Sequence, residues 1–152
     1  MNEPVRLVVF HLDEQRYALL LSAVERVVRA VEVTPLPAAP AIVLGVINVE
    51  GRIVSVIDVR KRFRLPEKEM TVYDHLIIAQ TARRTVALPA DSASTIVEVS
   101  AGEIIHASRI LPQLEYVDGV AKLDDGMVLI HDLDKFLSLE EEDALDEAMP
   151  RG

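Results

Sequence analysis

The apolar positions of the chain come in short runs, and the runs recur. Leu7-Val8-Val9-Phe10-His11-Leu12 is almost unbroken and rich in branched side chains, which predicts a buried strand. Asp13-Glu14-Gln15 is a polar turn, and Tyr17-Ala18-Leu19-Leu20-Leu21 predicts the returning strand of a hairpin. At an offset of 69 residues Leu76-Ile77-Ile78 leads into the polar Thr81-Ala82-Arg83-Arg84 and then into Val86-Ala87-Leu88. Val27-Val28 falls on Ile96-Val97 at the same offset, so the repeat extends past the hairpin.

Each hairpin is followed, after a proline-bearing link (Pro35, Pro37 and Pro40 in one copy, Pro112 in the other), by a second recurring pattern. The segment Gly45 to Asp58 matches Gly119 to Asp132, with one residue inserted near the turn, and four of the six glycines lie in these matched places. Glu50-Gly51 and Asp125-Gly126 read as hairpin turns in which glycine accepts a positive φ, and Gly45 and Gly119 open the strands. Asp58 and Asp132 stand before Val59-Arg60-Lys61-Arg62-Phe63 and Leu133-Asp134-Lys135-Phe136-Leu137, which read as single helical turns capped by the aspartate. About four to five strands and one helical turn per copy predict a mainly β protein. It would consist of two SH3-like five-stranded β-barrel subdomains from an internal duplication, over residues 5–137. The first repeat would run over about 7–63 and the second over about 76–137, with room for strands to be shared between them. Residues 138–152 form an acidic helix and tail: Ser138 and Glu141 have capping-box spacing, Leu139 and Leu145 give only a thin apolar stripe, and the acid run is expected to be a solvated face.

Composition narrows the functions. The chain has no cysteine, which removes disulfides, thiolate nucleophiles and cysteine-ligated zinc. Net charge is −9, but residues 138–152 hold six acidic groups and one Arg, leaving 15 basic and 19 acidic residues, or −4, in the body. A nucleic-acid surface needs clustered Lys and Arg, so none is expected. The absence of a long apolar run argues against membrane insertion, and together with the start of the chain points to a cytoplasmic protein. With no Trp, three Tyr and three Phe, the aromatic platforms used for Pro-rich peptides are too few.

Asp58, Asp132 and His131 are the groups a small acid-base hydrolase would recruit, but the two aspartates occupy equivalent positions of a repeat, and capping explains both. His11, His75, His106 and His131 lack metal-ligand spacing, and no Gly-rich phosphate loop exists, so neither metal nor cofactor is expected. The chain reads as a non-enzymatic protein-binding module.

Taken in order, Ala23-Val24-Glu25-Arg26-Val27-Val28-Arg29, Thr34-Pro35-Leu36-Pro37-Ala38-Ala39-Pro40, Leu44 to Gly51, Ser55-Val56-Ile57-Asp58-Val59-Arg60, Ala90-Asp91-Ser92-Ala93-Ser94 and Gly119-Val120-Ala121-Lys122-Leu123 resemble the CheW family of bacterial chemotaxis adaptors from about Val5 to Leu137. The resemblance implies two SH3-like barrels, no catalysis, and a scaffold joining chemoreceptor cytoplasmic tips to the regulatory domain of a CheA-type histidine kinase. A CheW-like coupling protein of a non-flagellar chemosensory pathway is the alternative. It also implies a receptor-binding surface at Val24, Arg26, Gly45, Asn48, Val49, Glu50 and Gly51, with the barrel ends facing the kinase. Where the family typically has Val-x-Glu and Asn-x-Arg-Gly, this chain has Val24-Glu25-Arg26 and Asn48-Val49-Glu50-Gly51, so the members of a charge pair are exchanged between Arg26 and Glu50. Those two residues stand opposite Thr95 and Asp125 of the second copy, which places specificity in the first, the alternative being a neutral exchange on an exposed pair of little worth.

Overall fold

The computed structural model describes residues 4–106 and 116–149, and Pro112 of the second link lies outside them. Its strands are β1 (Pro4–Leu12), β2 (Gln15–Leu20), β3 (Val24–Arg29), β4 (Val43–Val49), β5 (Arg52–Ile57), β6 (His75–Gln80), β7 (Thr85–Ala90), β8 (Ser92–Ser100), β9 (Ile104–His106), β10 (Val117–Leu123) and β11 (Gly126–His131). The helices are α1 (Val59–Arg62) and α2 (Leu139–Ala148), with a 3₁₀ turn at Leu133–Lys135. No helix among the described residues is long and apolar enough to cross a membrane.

The strands form two sheets, one of six strands in the order β8-β1-β2-β11-β10-β9 and one of five in the order β3-β6-β7-β5-β4. Both expected hairpins are present, β1 with β2 from Leu7↔Leu20 to Leu12↔Gln15, and β6 with β7 from His75↔Ala90 to Gln80↔Thr85. The sheets do not coincide with the repeats, however. The β1–β2 hairpin of the first copy sits beside β8, β10 and β11 of the second, while β3, β4 and β5 of the first take β6 and β7 of the second. The junctions are parallel pairs at equivalent places, Leu129↔Tyr17 and Ile130↔Ala18 in one sheet, Ser55↔Val86 and Val56↔Ala87 in the other. The repeats at about 7–63 and 76–137 thus share their strands between the two sheets, for which the expected bounds left room. Two copies of one pattern offer equivalent edges, so local sequence does not say whose edge a strand joins.

The exchange explains the unbroken apolar runs. Leu7, Val9, Ala18, Val128 and Ile130 fill one sheet, and Ile47, Val54, Val56, Leu76, Ile78 and Ala87 fill the other. Their strand neighbours Phe10, Tyr17, Leu19, Ile57, Ile77, Val86 and Leu88 meet between the sheets in a third cluster with Phe136 and Leu145. Strands buried on both faces lose the polar alternation of a one-sided sheet.

The second recurring hairpin differs from the expectation in register. Val49 pairs with Arg52 and Leu123 with Gly126, so the matched segments need no insertion, and Asp124-Asp125 form the second turn while Gly126 begins β11. Glu50 thus corresponds to Asp124, not Asp125. The first turn has positive φ at both Glu50 (50°) and Gly51 (87°), the type I′ geometry that matches strand twist. Gly45 is required by close approach: a Cβ there would lie 2.3 Å from the Thr34 carbonyl oxygen, because Thr34 bridges to Val46 along the outer edge of β4.

The caps form as expected. Lys61 N–H donates to Asp58 Oδ1 (3.2 Å) and Asp134 N–H to Asp132 Oδ1 (3.0 Å), while Ser138 and Glu141 make a reciprocal capping box on α2. The acid run of α2 is not a free solvated face. Glu141 pairs with Arg62 (2.7 Å), Glu142 with Arg84 and Arg83 (both 3.2 Å), and Asp146 with Arg83 (2.6 Å) and Arg84. Three arginines of the five-stranded subdomain take the carboxylates of a helix that follows the other one.

Candidate functional site

β3 and β4 are the two edges of the five-stranded sheet, yet its curvature brings them together. Arg26 Nη1 on β3 donates to Glu50 Oε1 in the β4–β5 turn at 2.6 Å, and Arg52 on β5 pairs with Glu25 on β3. The Arg26 and Glu50 side chains keep 41% and 68% of their surface, so the pair is open to a partner. The hydrogen bond and charge of Arg26 hold the Glu50 carboxyl below the ordinary carboxylate range, and Glu50 in turn raises the Arg26 guanidinium. Asn48 Oδ1 accepts from Gly51 N–H (2.8 Å) and braces the turn that presents Glu50.

Of the sequence-predicted surface residues, Arg26, Asn48, Glu50 and Gly51 are exposed and Val24 is half-buried. Gly45 and Val49 are buried: Val49 points into the core beside Ile47 and Val54, and Gly45 lies beneath Thr34. Neither offers a side chain to a partner, because alternation along β4 turns Val49 inward where Asn48 points out. Their part is to shape the hairpin.

Beside the ion pair runs a groove of about 550 Å³ between the subdomains, lined by Val24, Val27 and Val28 of β3 on one wall and Val8, Ala93 and Ile96 on the other. Ile96, 60% exposed, offers its side chain at this wall. Sequence reading by repeats missed this wall, since β8 belongs to the second copy and meets the first only through strand exchange. It also missed Glu25 and Arg52, for which the charged neighbours of Arg26 and Gly51 were the available signal. A larger groove of about 1010 Å³, between residues 30–33 and the 67–72 connection, reaches Leu44 but none of the predicted surface residues.

The catalytic alternatives lose their groups. The Asp58 and Asp132 carboxylates are spent on caps. His131 is 6% exposed, its Nδ1 lies 3.1 Å from the Leu129 carbonyl oxygen, and its ring centroid is 4.7 Å from that of Phe63. Burial pushes its pKa down to about 4, so it is a neutral core imidazole at neutral pH.

Comparison with known proteins agrees with this geometry. A family profile for the CheW-like domain matches residues 6–141. The chain is 32% identical to the chemotaxis protein CheW of Rhizobium meliloti over 140 residues, covering 91% of this chain and 90% of that one. It is 26% identical to CheW of Treponema pallidum, covering 92% and 86%. The crystal structure of the scaffolding protein TtCheW from Thermoanaerobacter tengcongensis superimposes with a TM-score of 0.82 at 28% identity, over 91% of this chain and 96% of that one. The chain belongs to the CheW family: it is a chemotaxis adaptor, a scaffold and not an enzyme.

Proposed function

We propose that this adaptor acts in the cytoplasm, where it holds the cytoplasmic tip of a chemoreceptor against the rim formed by β3 and the β4–β5 turn while a CheA-type histidine kinase binds elsewhere through its regulatory domain. The observation that carries this reading is the exposed Arg26–Glu50 pair beside an apolar inter-subdomain groove. A receptor tip is a helical surface, and an amphipathic helix docks by laying an apolar face into such a groove. Val24 and Ile96 would meet that face, Arg26 and Glu50 would read its charges, and Asn48 and Gly51 would fix the turn.

The sign of the pair sets which receptor is accepted. Exposed ion pairs contribute about 0 to 1 kcal/mol to folding, whereas a like charge met across an interface costs several kcal/mol. Arg26→Glu and Glu50→Arg should therefore each weaken binding to the receptor of the same cell with little change in melting temperature. Titration of purified receptor cytoplasmic fragment against each variant checks this, and unchanged affinity in both would remove the receptor role of this rim. Co-purification from the native cell identifies which receptor and kinase bind.

A further inference from the structure

The Arg26–Glu50 pair does not stand alone. Glu25 has no partner in the β3–β6 ladder, because the register passes from Val24↔Ala79 directly to Arg26↔Ile78. It is the extra residue of a β-bulge, a device that re-aims a side chain. Consecutive strand residues normally face opposite ways, yet Glu25 and Arg26 both reach the same hairpin, one to Arg52 and the other to Glu50. The four charges close a square of alternating sign. Hydrogen-bonded ion pairs form two sides, Arg26–Glu50 and Glu25–Arg52, and attraction between Glu25 and Arg26 and between Glu50 and Arg52 forms the others.

We propose that Glu25 and Arg52 are specificity-determining residues, and that the adaptor reads its receptor with this four-charge square rather than with one pair; this rests on the receptor-facing reading above. All four side chains remain between 37% and 68% exposed, so each faces a docked partner as well as its neighbours. The matching surface is a helix whose apolar stripe enters the groove and whose flank carries an anion and a cation in register with the square. A partner that satisfies Arg26 and Glu50 alone leaves Arg52 and Glu25 facing whatever lies beside them. The bulge also ties the two pairs together. Exchanging Arg26 and Glu50 keeps both hydrogen-bonded sides but sets Glu25 beside a carboxylate and Arg52 beside a guanidinium, and exchanging all four restores alternation.

The test measures association of the full-length adaptor with a purified receptor cytoplasmic fragment from the same cell, at low and at physiological salt. The variants are Glu25→Gln, Arg52→Gln, Arg26→Glu, the double variant R26E/E50R and the quadruple variant E25R/R26E/E50R/R52E. Rim charges act mainly on association rate and its salt dependence. Glu25→Gln and Arg52→Gln should each slow association by about threefold or more at low salt, an effect that shrinks as salt rises. The quadruple variant should melt higher than the double variant while still failing to bind. If Glu25→Gln and Arg52→Gln bind at the native rate while Arg26→Glu does not, the square is overturned and the single-pair reading stands. If Arg26→Glu also binds normally, both fall together. A double variant as stable as the quadruple would likewise refute the coupling of the two pairs.

Discussion

At residue scale, side chains that look chemically active in the sequence are those the fold has occupied. His131 packs tilted against Tyr17 and Phe63 and edge-on to Phe136, with centroid distances of 5.2, 4.7 and 6.3 Å. Its folded pKa of about 4 lies below the ordinary 6.5, so the unfolded chain binds a proton first as pH falls. Its contribution to stability is fully present above about pH 6.5 and is lost progressively toward pH 4, a loss of about 3 kcal/mol by the 1.36 kcal/mol per pKa unit of linkage. Urea denaturation between pH 4 and 8 should show this slope, and His131→Met should flatten it. Backbone strain gives an effect of opposite sign. Ala38 has φ 66° in the turn closed by Ala39 N–H donating to the Leu36 carbonyl, a conformation that costs a residue with a Cβ about 1 kcal/mol. Ala38→Gly should raise stability by up to about 1 kcal/mol, read from the denaturation midpoint.

At the scale of elements, the two caps were legible because an aspartate before a helical turn needs only its own neighbours. The placement of α2 was not, since its carboxylates are matched by arginines far away in the chain. Arg84 and Glu142 keep only 11% and 10% of their side-chain surface, which puts the pair well inside the contact. Arg84→Gln should cost about 2 kcal/mol or more, because it leaves Glu142 largely buried with Arg83 as its remaining ion-pair partner among the described residues. Thermal melting of Arg84→Gln beside Arg84→Gln/Glu142→Gln checks it, with the double variant recovering part of the loss. The grip of α2 has a counterpart at the other turn. Asp134 Oδ1 accepts from Ala82 N–H (2.7 Å) in the β6–β7 turn, and Arg60, at the equivalent position of the other repeat, reaches Asp13 (3.1 Å) in the β1–β2 turn and also Asp91 (3.0 Å). Each terminal helical segment thus holds the first hairpin of its own copy across the boundary between the two sheets, with charges of opposite sign at matched places.

At the scale of the molecule, strand exchange makes the two copies inseparable. If each repeat closed on itself, residues 1–65 and 66–152 would fold as separate chains; with β1–β2 completed by β8, β10 and β11, and β6–β7 by β3 and β5, neither half has a whole sheet. The separate halves should lack cooperative unfolding by circular dichroism and regain it when mixed, and a half that folded alone would contradict the topology. The sequence by itself determined the duplication, the hairpins, the caps, the family resemblance and the Arg26–Glu50 pairing, because these rest on periodicity, on residues a few positions apart, or on motifs kept in order. Tertiary structure alone decided which copy supplies each edge, why Gly45 and Val49 face inward, and how a bulge at Glu25 turns a pair into a square. Those outcomes depend on which surfaces meet after the sheets curl and exchange strands, and two similar repeats carry no local mark that chooses between partners.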